Sequence, residues 1–503
     1  MKKVLATLLA LAMLLSLAVI ATTSVSAQSE AWDGITIADG FTSGSGTEED
    51  PYIIMTGAEL YKLSVDAAGG ELYSGVHFKL GDDINLGNNL WPSIGRSSSS
   101  PFSGNIDGNG KTIYNFEVFD MPAGFFGIIG DNYVKNLKID YAKIINSTSN
   151  ITGALAAKTI RATIENIEIG ENVIVGNSIS ATSAPQVGGV IGLIANESVA
   201  KNLIFRGKIE ILTCGKNANG WAGGIIGILG SASTVDGAIN YGSIVYTDTD
   251  PIANTFMAGI VGGTGNDANP GTFKNAINYG SVTSAKYASG IVGRFGGGDG
   301  VTLENCFNAS ANIVAGKTDD GTSLASLLLG YAAFDGTLKN CYSVASGDIP
   351  LYVRIVDDSG KEHNIGDATQ FGSAVSIDEL SFSAEFQAIL NTVPAAMPTW
   401  NEVTIEETPD ISDGTDTESD PVEETKPVEP EQSETIEETK PEDTEPEAKP
   451  TEPVQTPSTE APGTEKPAEG GCGSVVAGGL AILAVVALAC KPMRIKFAKP
   501  LKW

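Results

Sequence analysis

Gly-Gly-Ile-Ile-Gly at 223–227, Ala-Gly-Ile-Val-Gly at 258–262 and Ser-Gly-Ile-Val-Gly at 289–293 are three versions of one pattern. Looser copies lie on either side: Ala-Gly-Phe-Phe-Gly at 123–127, Thr-Gly-Ala-Leu-Ala at 152–156, Gly-Gly-Val-Ile-Gly at 188–192 and Ser-Leu-Leu-Leu-Gly at 326–330. Each is answered downstream by a short strand pattern centred on Asn. These closings are Val134-Lys135-Asn136, Ile164-Glu165-Asn166, Ala200-Lys201-Asn202, Val235-Asp236-Gly237, Phe273-Lys274-Asn275, Leu303-Glu304-Asn305 and Leu338-Lys339-Asn340. A period of about 30–37 residues marks a solenoid, in which no unit buries its apolar face alone.

The units read as strands. Gly-Ile-Ile-Gly is short, β-branched and bounded by Gly, whereas a helix needs ten or more residues without such breaks. After each Asn the apolar residues alternate, as at Leu137 and Ile139 or Leu203 and Phe205. Glycine is expected at the corners for positive φ and close backbone approach. Such turns, stacked, make an all-β parallel β-helix.

Gly-Gly-Ile-Ile-Gly followed by Asn240-Tyr241-Gly242-Ser243, and Ala-Gly-Ile-Val-Gly followed by Asn275-Ala276-Ile277-Asn278-Tyr279-Gly280-Ser281-Val282, resemble the GLUG motif of bacterial surface proteins. So does Leu338-Lys339-Asn340-Cys341-Tyr342. The resemblance spans about residues 40–400. It implies a right-handed β-helix, of the kind found on extracellular adhesins and on accessory regions of surface proteases. The copies at 152–175 and 324–346 depart from the motif, with Ala156 at its second Gly and Ser326 at its first, and their coils are expected to be the least regular.

Residues 1–27 read as a secretory signal peptide: Lys2 and Lys3, an apolar run Leu5–Ile20, and Val25-Ser26-Ala27 before the cut. Residues 28–120 open and cap the solenoid. Thr56-Gly57-Ala58-Glu59 is a capping box, which predicts a helix over 57–67 with Leu60 and Leu63 inward. A helix there protects an open strand edge. His77–Leu80 and Ile84–Leu86 read as first strands. Phe102–Ile113 resembles the opening turn of the GLUG family, and its Asp107-Gly108-Asn109 is a turn signal, lacking the further carboxylates of a calcium loop. The repeats occupy 121–346. Residues 347–400 close the domain with a strand over 351–356 and an amphipathic helix over 376–391.

Residues 401–470 hold 23 Asp and Glu, 4 Lys and 11 Pro, a net charge of 4 − 23 = −19. Such a segment has no core to form and is expected to stay disordered. Extended at about 3.1 Å per residue, it reaches on the order of 200 Å, long enough for a cell-wall spacer. Residues 471–503 carry an apolar run, Ser474–Cys490, then Lys491, Arg494, Lys496, Lys499 and Lys502 with no acid. This predicts a C-terminal transmembrane helix with a basic cytoplasmic tail. A processed sorting tail, lipidated at Cys472, is the alternative.

Of the formal charge of −30, the linker takes −19 and the two ends +2 and +5, which leaves −18 for residues 28–400. That excess of acid argues against nucleic acid as a partner. Cys214, Cys306 and Cys341 are the cysteines of the folded part. Cys306 and Cys341 follow the repeat Asn in successive units, in the column of Leu137, Ile167, Leu203, Ala238 and Ala276, and read as buried apolar fillers. His77 and His363 are the only histidines and have no metal spacing, so no metal, cofactor or catalytic residue is assigned. A polysaccharide lyase or hydrolase would need clustered carboxylates, which no repeated offset supplies.

The leading reading is a membrane-anchored adhesin or glycan binder displayed on a bacterial surface. Its partner would be a surface glycan or a protein of a host or neighbouring cell. Trp221, Tyr241, Tyr279, Phe307 and Tyr342 are the candidate sugar-stacking rings. A passive envelope spacer and a glycan-degrading enzyme remain open. One further pattern stands out. The residues before the repeat Asn or Gly237 run Lys135, Glu165, Lys201, Asp236, Lys274, Glu304, Lys339, alternating in sign. With one coil per repeat, opposite charges stack about 4.8 Å apart.

Overall fold

The computed structural model describes residues 30–370, apart from 120–121, 147–149, 178–183, 213–218, 247–253, 266–268, 318–320, 345–347, 356–358, 364 and 366–367. The expected signal peptide, Cys214, the 376–391 helix, the linker and the C-terminal anchor all lie outside the described residues. Among the described residues, no helix is long and apolar enough to cross a membrane.

The described residues wind into a parallel β-solenoid of three sheets, of 18, six and eight strands (sheets 1, 2 and 3). One coil shows the scheme. Gln186–Gly188 enters sheet 2, Ile191–Ala195 sheet 3, and Val199–Phe205 with Lys208–Ile211 sheet 1. The next coil repeats it in register: Gly188 pairs with Gly223, Ile191 with Ile226, Leu203 with Ala238 and Ile209 with Ile244. Each sequence repeat is therefore one coil.

Stacking turns sequence offsets into columns. Leu137, Ile167, Leu203, Ala238, Ala276 and Cys306 form one inward column by successive pairing, and all are fully buried. Cys341 follows as a buried free thiol. A hydrogen bond between the Cys306 thiol and Cys341, and then burial, push the Cys306 thiol well above its ordinary range.

The predicted helix is present as α1, Gly57–Ala68, with both halves of its capping box formed and Leu60 and Leu63 buried. It packs on the first coil. Ser64 donates to the Pro92 carbonyl at 2.7 Å, and a Cβ on Gly57 would meet Trp32 at 2.4 Å. Beneath it the core starts with aromatic rings: Trp32 meets Trp91 edge-on, and Trp91 stacks on Phe125 at 5.0 Å. His77–Leu80 and Ile84–Leu90 are the strands expected there. Asp107-Gly108-Asn109 is a turn-like kink inside the strand Asn105–Val118. The register shifts there, Asn109 has φ 54°, and its N–H donates to Asp107 Oδ1 at 2.9 Å. The strand expected over 351–356 is seen at Tyr352–Arg354.

Three details correct the sequence reading. The looser copy at 152–156 is displaced by one residue, whereas in the copy at 123–127 Phe126 falls level with Ile191 as aligned. Gly153 pairs with Gly188 and Ala156 with Ile191, so Ala157, not Ala156, falls level with Gly192. That coil is fully regular, because Ala is small enough for the corner. The two roles assigned to corner glycine also separate. Gly188 is needed for close approach, since a Cβ there would lie 1.9 Å from the Ile191 carbonyl oxygen. Positive φ falls instead on the repeat Asn. Asn136, Asn166, Asn202, Asn275, Asn305 and Asn340 have φ of 50–57°, and Gly237 takes 89°. Asn tolerates this left-handed conformation better than other side chains.

The same Asn residues bond coil to coil. Asn166 Nδ2 donates to Asn136 Oδ1 at 2.8 Å, Asn202 to Asn166 at 2.9 Å and Asn305 to Asn275 at 3.0 Å. Where Gly237 interrupts, Asn275 donates to Asp236 Oδ1 at 2.6 Å. A second ladder of buried Asn240, Asn278 and Asn308 runs through the core edge at 2.8 and 2.9 Å.

The charge alternation is in register throughout. Lys135 pairs with Glu165, Glu165 with Lys201, Lys201 with Asp236, Asp236 with Lys274, Lys274 with Glu304 and Glu304 with Lys339. It also extends upstream, through Asp107 opposite Lys135 and Lys79 opposite Asp107. Contacts close at Lys135–Asp107, 3.9 Å, and Lys339–Glu304, 2.5 Å.

Two outcomes follow. Asp236→Lys puts three Lys in a row, and should cost about 1 kcal/mol or more from two like-charge neighbours. Glu171→Lys, at an exposed turn, should cost less, and Asp236→Asn, which keeps an acceptor for Asn275, should fall between. Equal midpoints in urea for all three would remove the ladder from the account. The Cys306 thiol gives a pH dependence. Its folded pKa is raised, so the unfolded chain releases the proton first. Stability is then complete below the unfolded value of about 8.5 and falls as pH rises above it. Cys306→Ala, which repeats the Ala of two earlier coils, should flatten the melting temperature between about pH 8 and pH 10.

Candidate functional site

The five candidate rings do not converge. Tyr241 and Tyr279 stack in one column on the outside of sheet 1, 5.1 Å apart and 3° from parallel. The Arg206 guanidinium lies 4.5 Å over Tyr241, so both faces of that ring are occupied. Arg206 also reaches Glu168 at 3.2 Å. Phe307 and Tyr342 share a neighbouring column, and Phe307 is fully buried rather than exposed. Trp221 is in sheet 2, on the strand Asn219–Gly223.

Around Trp221 the structure builds a site that the sequence reading did not see. Gln186, Trp221, Phe256 and Tyr287 pair in succession along sheet 2. Their neighbours Ala222, Met257 and Ala288 belong to the core, so the rings point away from it. Gly263, Arg294, Tyr331 and Arg354 pair in succession along sheet 3. The outer faces of the two sheets turn toward each other at the corner. Phe256, Tyr287, Leu324 and Tyr331 pack there as a second apolar cluster, with Trp221 against it. Gly263 makes room, because a Cβ on it would lie 2.5 Å from Trp221 Cδ1.

Asn219, Asn254, Phe256, Lys286, Tyr287, Arg294, Tyr331 and Arg354 line a cleft of about 360 Å³ at this corner. That volume is in the range of about 300–1,000 Å³ usual for ligand sites. Its chemistry is cationic. Arg294 Cζ lies 5.3 Å from the Phe256 ring and 5.5 Å from Tyr331, so its guanidinium sits between two aromatic faces. Arg354 Cζ lies 4.9 Å from Tyr331. Lys286 donates to Asn254 Oδ1 at 2.5 Å and lies 5.9 Å from the Tyr287 ring. A guanidinium held by its face can direct its N–H edge at a planar anion.

A second cluster joins Asp299, Asp335 and His363, with one ligand atom from each within 4.8 Å of the others. No sequence spacing announced it, because the residues come from different coils. His363 Nδ1 bonds Asp335 Oδ1 at 2.9 Å, which directs the imidazole to a carboxylate.

No known family profile matches this chain. It is 34% identical over 141 residues, 26% of its length, to a protein of Evansella cellulosilytica provisionally named a Gly-rich membrane protein. It is 29% identical over 168 residues, 31% of its length, to halomucin of Haloquadratum walsbyi. The chain spans only 15% and 2% of those relatives. A solved Bacteroides ovatus structure, provisionally named an immunoglobulin A1 protease, aligns over 70% of this chain and 90% of its own, at 20% identity and a TM-score of 0.41. That likeness is too weak to carry an argument.

Substitution of Gly263 tests the corner. Gly263→Ala should displace the indole and shift tryptophan emission to longer wavelength. In a Trp221→Phe background the same change should leave emission unaltered. A shift that persists there would place the effect at another tryptophan.

Proposed function

We propose that this chain is a bacterial cell-surface binding protein that presents a right-handed β-solenoid, related to GLUG-repeat adhesins, and binds glycan in the corner cleft. The acidic Pro-rich segment holds the domain off the envelope, and the C-terminal apolar run anchors it. The carrying observation is the cleft itself: a ligand-sized concavity, between two parallel sheets, lined by aromatic rings, amides and cations. Glycan sites use these groups, amides and cations meeting hydroxyls and acids while rings pack behind them and hold them in place. The names of the two sequence relatives fit a surface or membrane setting.

Binding is favoured over hydrolysis by the lining. Its described residues include no carboxylate or histidine, so a paired-carboxylate mechanism has no residues there. Arg206, Tyr241 and Tyr279 belong to a stack already closed on one side, and serve as a secondary contact at most.

A glycan array probed with the full chain tests the reading. Saturable binding, lost in Trp221→Ala and Tyr287→Ala and kept in Tyr241→Ala, supports it. Turnover would point to a glycan-degrading enzyme. Silence on a broad array would leave a passive spacer.

A further inference from the structure

We infer that the cleft's ligand is a linear anionic polysaccharide lying along the solenoid axis, with carboxylate or sulfate groups met by Arg294 and Arg354. This deepens the glycan-binding reading and rests on it. The first ground is charge placement. The chain carries −30 overall, yet the eight described lining residues include Lys286, Arg294 and Arg354 and no acid. An anion entering the cleft meets three cations at close range. Charges farther away than about 8 Å are largely screened at physiological ionic strength.

The second ground is which surfaces are left to bind. Neutral sugars bind proteins largely by stacking C–H faces on open aromatic rings. Here Phe256 and Tyr331 give ring faces to guanidiniums, and both rings are less than a tenth exposed. What the cleft presents is therefore guanidinium, ammonium and amide. Arginine held in this way loses little freedom when it pairs with a planar carboxylate or sulfate, and such pairs are the strong ones.

The third ground is spacing. Arg294 pairs with Tyr331 and Tyr331 with Arg354, so the two guanidiniums sit two coils apart in one column. Two coil steps are about 10 Å, close to the length of a disaccharide. An acid on every second ring meets this spacing when the chain runs parallel to the axis. Asn219 and Asn254, paired one coil apart on the facing sheet, are placed for hydroxyls or amides of the rings between.

Four probes against the full chain test this by titration calorimetry. They are a hyaluronan hexasaccharide (an acid on alternate rings), a polygalacturonate hexasaccharide (an acid on every ring), a neutral chitin hexasaccharide and poly-glutamate. The expected result is binding of hyaluronan at least about tenfold tighter than chitin and poly-glutamate, weakening with salt. Arg354→Gln and the partly exposed Lys286→Gln should each lose about tenfold, the strength of one charge-assisted contact. Arg161→Gln, on a distant corner with Asp131, should lose none. Melting curves establish that the variants fold. Equal binding of chitin overturns the anionic class and leaves the glycan reading standing. Equal binding of poly-glutamate reduces the cleft to a general polyanion trap and overturns the polysaccharide. Tighter binding of polygalacturonate overturns the alternate-ring spacing. Silence on all four overturns both readings.

Discussion

Every residue of a parallel solenoid sits on its own equivalent in the next coil, about 4.8 Å away. The rest of this structure depends on that constraint. A column must tolerate itself, and few side chains do. Aliphatics do so inside, where Leu137, Ile167, Leu203 and their successors are fully buried. Asparagine does so because its amide is donor at one end and acceptor at the other, so Asn136, Asn166 and Asn202 bond in series. Lysine does not tolerate lysine, and the column beginning at Lys79 alternates sign through to Lys339. A slip of one residue in any coil would break the apolar column, the amide ladder and the charge ladder together.

The interior and its register were legible because they recur at the repeat period. The helix was legible because Thr56 and Glu59 satisfy each other's backbone over three residues. Two things were read only in part. The closings showed Asn without its reason, since a recurring Asn serves a left-handed φ and a side-chain ladder equally well, and Gly237, the one substitution, keeps only the φ. The second corner copy was misplaced by one residue, because small residues abut there. Ala154, Ala156 and Ala157 are all fully buried and fit a corner equally on size.

The cleft was not legible for a different reason. Its residues never recur as a motif. Trp221, Phe256 and Tyr287 stand at one offset, two residues before each corner, while Gly263, Arg294 and Tyr331 stand at another, just after it. Read down the columns the aromatic and cationic runs are plain, yet no single repeat contains the site. Choosing rings by exposure favoured Tyr241 and Tyr279, which are open to solvent but stacked on each other.

The two faces of the coil therefore answer to different demands. On sheet 1 the outer columns compensate their own charge, in the ladder and again where Lys138 and Arg206 flank Glu168. Such surfaces satisfy themselves and offer little to a ligand. At the corner of sheets 2 and 3 one column repeats its sign: Arg294 and Arg354 recur in it with Tyr331 between. The aromatic faces make that repetition tolerable by separating two like charges with a ring and holding each guanidinium flat. The sheet 1 ladder alternates sign from coil to coil, whereas this column carries one sign on alternate coils and spaces its charges with a ring.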